Sequence, residues 1–167
     1  VVIREGFWLP RFETNRLVTV WADFRKSEET GRISNFARAG KLEEGPFRGI
    51  PFDGSDVFKI VEGAAYTLAT HPDPKLDTYL DGLIAKMAAA QEPDGYLYTA
   101  RTLGFTNGMT GPTRWSNLAH GHELYNVGHM YEAAVALFTV TGKRALLDVA
   151  RKNADLIDKT FGPAPDQ

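Results

Sequence analysis

Apolar residues recur at helical spacing along most of the chain, broken at two places by long polar and glycine-rich stretches. Between Asn15 and Glu29, Leu17, Val20, Trp21 and Phe24 fall at i, i+3, i+4 and i+7, which predicts a first helix. Val57, Ile60, Val61, Ala64, Ala65 and Leu68 mark one face of a second, over about 55–70. Ser55 stands where its N-cap belongs, with Asp56 in the first turn, where the helix dipole favours a carboxylate. This helix stops at Thr70-His71-Pro72, because the residue before a proline is driven out of the α region. Asp73 predicts the cap of a third helix, with Pro74 at its first position. Leu76, Tyr79, Leu80, Leu83, Ile84, Met87 and Ala88 form its face, and it ends near Gln91, ahead of the turn Glu92-Pro93-Asp94-Gly95. A fourth helix is predicted over about 119–140, closed by Gly142 as a left-handed cap. A fifth follows over about 143–160 and closes at Phe161-Gly162-Pro163.

The remaining segments set the architecture. Residues 1–14, with Phe7, Trp8, Pro10 and Phe12, read as an extended arm that packs aromatics onto the body. Residues 31–54 read as a long loop rich in Gly, Pro and Arg, and 92–117 as another, carrying Tyr96, Tyr98, Phe105 and Trp115. Tight turns join the second helix to the third and the fourth to the fifth. In an up-and-down array both long loops then fall at one end and both tight turns at the other. The expected fold is all-α, an array of α-hairpins over 15–162 with a functional rim. No residue-level repeat relates the two hairpins.

Composition and charge exclude several classes. Nineteen Lys and Arg against 21 Asp and Glu leave a net charge of −2, which supplies no basic footprint for nucleic acid or an anionic membrane. No apolar run approaches the ~20 residues that span a bilayer. The 167 residues suit one domain. The first residues carry no apolar signal stretch, and the missing initiator Met reads as a processed or cut start. The absence of Cys excludes a disulfide, a thiolate zinc site and a cysteine nucleophile from this chain, but identifies no compartment.

The densest polar constellation is His120-Gly121-His122-Glu123-Leu124-Tyr125-Asn126-Val127-Gly128-His129, which opens the fourth helix. Asp56 and the turn Asp94-Gly95-Tyr96 fall on the same rim. A metal-dependent hydrolase built on His120, His122 and His129 is one reading. The spacing argues against it: His122 and His129 lie about 10 Å apart along a helix axis, whereas a zincin pair is four residues apart. A neutral imidazole both donates and accepts, which suits a sugar hydroxyl, and a helix start disfavours its charged form. His122 fits that role and equally fits a structural histidine bonded to a neighbouring loop. His129, deeper in the helix, reads first as structural. Glu123 reads as a first-turn residue or loop anchor rather than a catalytic acid. Asp56 is a helix-start carboxylate or a ligand group, and Asp94 a turn residue or a rim group. Tyr96, Tyr98, Phe105 and Trp115 can stack on sugar faces or plug the loops. No phosphate-binding glycine loop and no Gly-x-Ser-x-Gly elbow is present.

The run Phe52-Asp53-Gly54-Ser55-Asp56-Val57-Phe58-Lys59 resembles the β-L-arabinofuranosidase family of glycoside hydrolases, family 127 and its relatives. So do Glu62-Gly63-Ala64-Ala65-Tyr66, His71-Pro72-Asp73-Pro74, Gln91-Glu92-Pro93-Asp94-Gly95-Tyr96-Leu97 and the stretch from His122 to Ala136, followed by Thr141-Gly142-Lys143. The resemblance covers about residues 7–162. It implies an (α/α)6 barrel. Five helices cannot close a ring of twelve, so the chain is expected to be the N-terminal part of such a barrel, its open helix faces covered by the remainder of the barrel or by a second copy. The resemblance further implies a retaining enzyme acting on L-arabinofuranosides, with a cysteine nucleophile held in a zinc site of cysteines and a glutamate, and a separate glutamate as acid/base. None of those groups has a counterpart here. No catalytic residue and no metal ligand is therefore assigned, and zinc is expected only in the full-length enzyme. His122, in the family's His-Glu-Leu-Tyr motif, carries over as a residue that contacts the sugar. Asp56, Asp94 and Tyr96 match family motifs and join Trp115 and His129 as pocket candidates. The implied partner is a carbohydrate substrate. The alternative is a non-catalytic helical module that holds a glycan or a peptide with the same rim.

Overall fold

Asp73 illustrates how local sequence sets an element: its carboxylate accepts the Lys75 and Leu76 N–H groups at 3.0 and 3.1 Å, and Pro74 begins the helix that follows. The computed structural model describes residues 6–163 and contains no strand among them. In order come α1 (Trp8–Thr14), a π-helical turn (Asn15–Thr19), α2 (Val20–Glu29), α3 (Arg32–Ala39), α4 (Gly54–Thr70) and α5 (Pro74–Ala90). Then follow α6 (Thr99–Thr102), α7 (Leu118–Gly121), α8 (Glu123–Thr141) and α9 (Ala145–Thr160).

The expected extended arm is helical from Trp8. The chain passes through α1, the π turn and α2 without a break. Pro10 is tolerated because it lies in the first turn, where N–H groups lack intrahelical partners. Phe7 and Trp8 stand 62% and 63% exposed instead of packing onto the body, whereas Phe12 does pack, against His71 with ring centroids 5.6 Å apart. Residues 1–5 of that arm lie outside the described residues. The extra residue of the π turn rotates Leu17 and Val18 off the face that buries Val20 and Phe24, so Leu17 is exposed.

The expected loop over 31–54 contains α3. Ile33, Phe36 and Ala37 are buried at i, i+3 and i+4, and Gly31, at φ 88°, makes the bend from α2. Asn35 pins the rest of that loop: its amide donates to the Arg48 carbonyl at 2.7 Å and accepts the Arg48 N–H at 3.0 Å. α4 starts at Gly54, so Ser55 is not its cap but a buried residue of its first turn. The expected fourth helix is split. One turn, α7, ends at His122 in the left-handed region (φ 59°, ψ 24°), and α8 starts at Glu123. Gly142 closes α8 at φ 71°, as its position predicts.

α4 and α8 make the most extensive helix contact. Ala64, Ala65, Ala133 and Ala134 let the two approach, while Val57, Val61, Met130 and Leu137 fill the remaining space. α9 packs on α8 and α5, and α3 on α5 and α4. Lys143 ties the tight-turn end, with Nζ 2.7 Å from Asp77 and 2.8 Å from Asp81. At the opposite end the two long loops meet, Phe47 packing on Phe105 with ring centroids 5.0 Å apart, and the Phe52 ring stacks on that of His122. No helix among the described residues is long and apolar enough to cross a membrane.

Candidate functional site

The loop-rich end is organised around His122. Its Nδ1 lies 2.5 Å from the His120 carbonyl oxygen. A carbonyl can only accept, so Nδ1 carries the proton and, in the neutral ring, Nε2 holds the lone pair. The ring stacks on Phe52 (centroids 4.4 Å, planes 28°) and meets Tyr125 edge-on at 5.6 Å. Tyr125 meets His129 edge-on at 4.7 Å, and His129 Nδ1 lies 2.9 Å from Glu132. Phe52, His122, Tyr125 and His129 thus form a row of rings along the start of α8. Lys59 donates to the Tyr125 hydroxyl at 2.7 Å and stands 3.7 Å from Asp56. Asp56 also accepts from Arg32 Nε at 3.1 Å. Three of the six candidates, Asp56, His122 and His129, are therefore joined through Lys59 and Tyr125.

Asp94, Tyr96 and Trp115 form a second group. Asp94 accepts the Tyr96 N–H at 3.1 Å and an Arg114 guanidinium nitrogen at 2.5 Å. Burial pushes its carboxyl upward, but the bonds from Arg114 and the Tyr96 N–H outweigh it and hold the group below the usual range. Arg114 also pairs with Glu92 and lies 4.0 Å above the Tyr96 ring. Tyr96 is only 1% exposed, so its ring offers this chain no face on which a sugar can stack. Burial, and then the neighbouring Glu123 carboxylate, raise its phenol above the ordinary value. Trp115 is half-buried and packs edge-on against Tyr96 and Phe161.

Glu123 joins the two groups. It is 1% exposed and accepts the Tyr96 hydroxyl and the Trp115 N–H, the latter at 3.0 Å. It is a loop anchor, one of the two roles its position allowed. Arg101 stands 3.9 Å away and donates to the carbonyls of Thr110, Gly111 and Pro112. Arg101 is not marked by the sequence; Phe52 and Lys59 enter only as members of the motif Phe52–Lys59, and Tyr98 as one of the loop aromatics able to stack on a sugar or plug the loops. Asp56 and Lys59 stand three apart on one helix face, and Tyr96 and Tyr98 two apart, which are signals of a kind; Arg101 carries none.

Asp53, just ahead of α4, is 1% exposed. Burial raises its pKa to about 6 against the pull of Arg32, and its Oδ1 has no hydrogen-bond partner. The zinc implied by the family resemblance does not fit these residues. The chain has no cysteine, and no group of three or more His, Asp or Glu that could hold a metal occurs among the described residues.

All 167 residues match the family described as Beta-L-arabinofuranosidase, GH127 catalytic domain. A non-reducing end beta-L-arabinofuranosidase of Bifidobacterium longum subsp. longum is 45% identical over 125 residues, covering 75% of this chain and 19% of the relative. A solved GH127 beta-arabinofuranosidase superposes on the whole chain with a TM-score of 0.94 at 44% identity. A GH127 beta-L-arabinofuranosidase from Geobacillus stearothermophilus T6 does so with 0.92 at 37%. The chain covers 27% of each of those two structures, so it spans about a quarter of their length. The hairpin array seen here is part of the helical barrel of these glycoside hydrolases. Sequence motifs, helical order and superposition agree, and the chain belongs to the GH127 beta-L-arabinofuranosidase catalytic-domain family.

Proposed function

We propose that this chain forms one wall of the sugar pocket of a retaining glycoside hydrolase that acts on L-arabinofuranosides. The observation that carries this reading is the fixed tautomer of His122, whose Nδ1 proton is committed to the His120 carbonyl. Nε2 of the neutral ring is then an acceptor for a sugar hydroxyl. Phe52 and Tyr125 flank the imidazole with apolar surface suited to the C–H face of a furanose. Asp56 and Lys59 add a charged pair beside it, and His129 extends the row. Asp94 and Trp115 border the site rather than line the His122 ring. In a retaining displacement one group attacks the anomeric carbon while an acid protonates the leaving oxygen, and water then releases the glycosyl intermediate. His122 orients the sugar through that sequence. Nucleophile, acid/base and zinc belong, in this reading, to residues other than those described. The exposed apolar faces of α4 and α8 are covered by further helices of the same stack.

Hydrolysis of p-nitrophenyl β-L-arabinofuranoside tests the proposal. The 167 residues alone are expected to show no turnover above buffer. In the complete enzyme, His122→Ala is expected to lower kcat/KM by roughly 30-fold, the weight of a ~2 kcal/mol hydrogen bond. An unchanged kcat/KM removes His122 from the pocket. Turnover by the 167 residues alone overturns the assignment of the chemistry elsewhere, and points to Asp56, Asp94 or Glu123.

A further inference from the structure

His122 holds a left-handed backbone that residues with a side chain rarely adopt, and the residues on either side of it are tied to one short extended segment. The Tyr98 hydroxyl donates to the carbonyl of Gly121, immediately before His122, at 2.5 Å. The Tyr96 hydroxyl donates to the carboxylate of Glu123, immediately after it. Tyr98 is extended (φ −150°, ψ 95°), and residues two apart on an extended segment point to the same side. Leu97, between them, enters the helical core instead. Both phenols are buried, at 1% and 3% exposure. The carbonyl of His122 is held as well, by the N–H and the side-chain amide of Asn126 at 2.9 and 3.0 Å.

We propose that Tyr96 and Tyr98 are positioning residues that brace the backbone on both sides of His122 and so aim its imidazole at the sugar. This rests on the reading of His122 as a sugar ligand. It also gives Tyr96 a role in the site that its burial otherwise denies.

The test uses the complete enzyme and the variants Tyr98→Phe, Tyr96→Phe and His122→Ala. Tyr96→Phe leaves a buried carboxylate short of a donor and is the harsher change. Tyr98→Phe spares the charged group and keeps the test open if the first fails to fold. Tyr98→Phe is expected to raise KM about tenfold with a smaller change in kcat. Added to His122→Ala, it is expected to cause no further loss, because a residue acting through His122 is not additive with it. In nitrogen-labelled histidine spectra, the His122 Nδ1–H resonance is expected to exchange faster with water in Tyr98→Phe. Additive losses, or an Nδ1–H resonance and a KM both unmoved, overturn the brace. If His122→Ala leaves kcat/KM unchanged while Tyr98→Phe still speeds Nδ1–H exchange, the sugar-ligand reading fails and the brace stands.

Discussion

Asp53 is a carboxyl group kept from water, and its titration gives a measurable signature. Its folded pKa of about 6 lies above the ordinary 3.8. A group whose pKa rises on folding contributes most below the unfolded value, and its contribution is lost as pH climbs through the folded value. Stability from Asp53 should therefore fall between about pH 4 and pH 6, and above that the buried charge costs on the order of 3 kcal/mol. Asp53→Asn keeps the shape and removes the charge. Its urea midpoint should exceed that of the parent at pH 7.5 and converge with it near pH 4; an equal gap at both pH values would refute the assignment. The same scale shows what the sequence does and does not reveal of the site. The polar run opening α8 and the carboxylate of Asp56 stand out as pattern. The left-handed turn at His122 does not, because the bonds that flank it come from Tyr96 and Tyr98, more than twenty residues away. Nor does the burial of Tyr96, since an aromatic in a long loop serves equally well as a platform or as a plug.

Among the elements, α4, α5 and α9 are legible because each carries an apolar stripe long enough to be distinguished from chance. α3 is not: its eight residues sit among glycines and arginines, and its buried face needs only Ile33, Phe36 and Ala37. The π turn leaves no mark in the sequence, and it accounts for the misplacing of Leu17. Glycines test how closely these elements approach one another. Gly95 has φ 104°, and a Cβ there would lie 2.3 Å from the Lys152 carbonyl of α9. Its own carbonyl accepts from Gln91 and Asn153. Gly95→Ala should destabilise the protein by about 2–4 kcal/mol and detach the turn that carries Asp94 and Tyr96. Gly82, exposed within α5 with open space at its Cβ position, is the control. Gly82→Ala should stabilise by about 0.5–1 kcal/mol, because alanine loses less backbone freedom in a helix. Thermal denaturation of the two variants reads both signs; equal and small shifts would show that the turn does not pack tightly on α9.

For the whole molecule, alternation of short and long connections places both long loops at one end, and the meeting of Phe47 with Phe105 bears that out. Tyr66 and Val135, each 57% exposed, line a groove between α4 and α8 together with Ala136 and Val140. A contiguous apolar patch beyond roughly a few hundred Å² marks an interaction site, which dye binding can detect. The 167 residues alone should bind a hydrophobic dye, and Tyr66→Lys with Val135→Lys should suppress that signal. The complete enzyme should show little of it before either substitution. Absence of dye binding by the isolated chain would mean that the face closes on itself.

The pairing of α4 with α8 also has a consequence in time. Lys59 and Tyr125, which meet across it, are 66 residues apart, as are Asp77 and Lys143. A ribosome adding roughly 5–20 residues per second needs about 4–14 seconds to pass from the end of α4 to the end of α8. Through that interval the alanine-lined face of α4 has no partner. The nascent chain is then an open hairpin whose most apolar side waits for a helix not yet made, and it is during synthesis that this protein is most exposed to wrong associations.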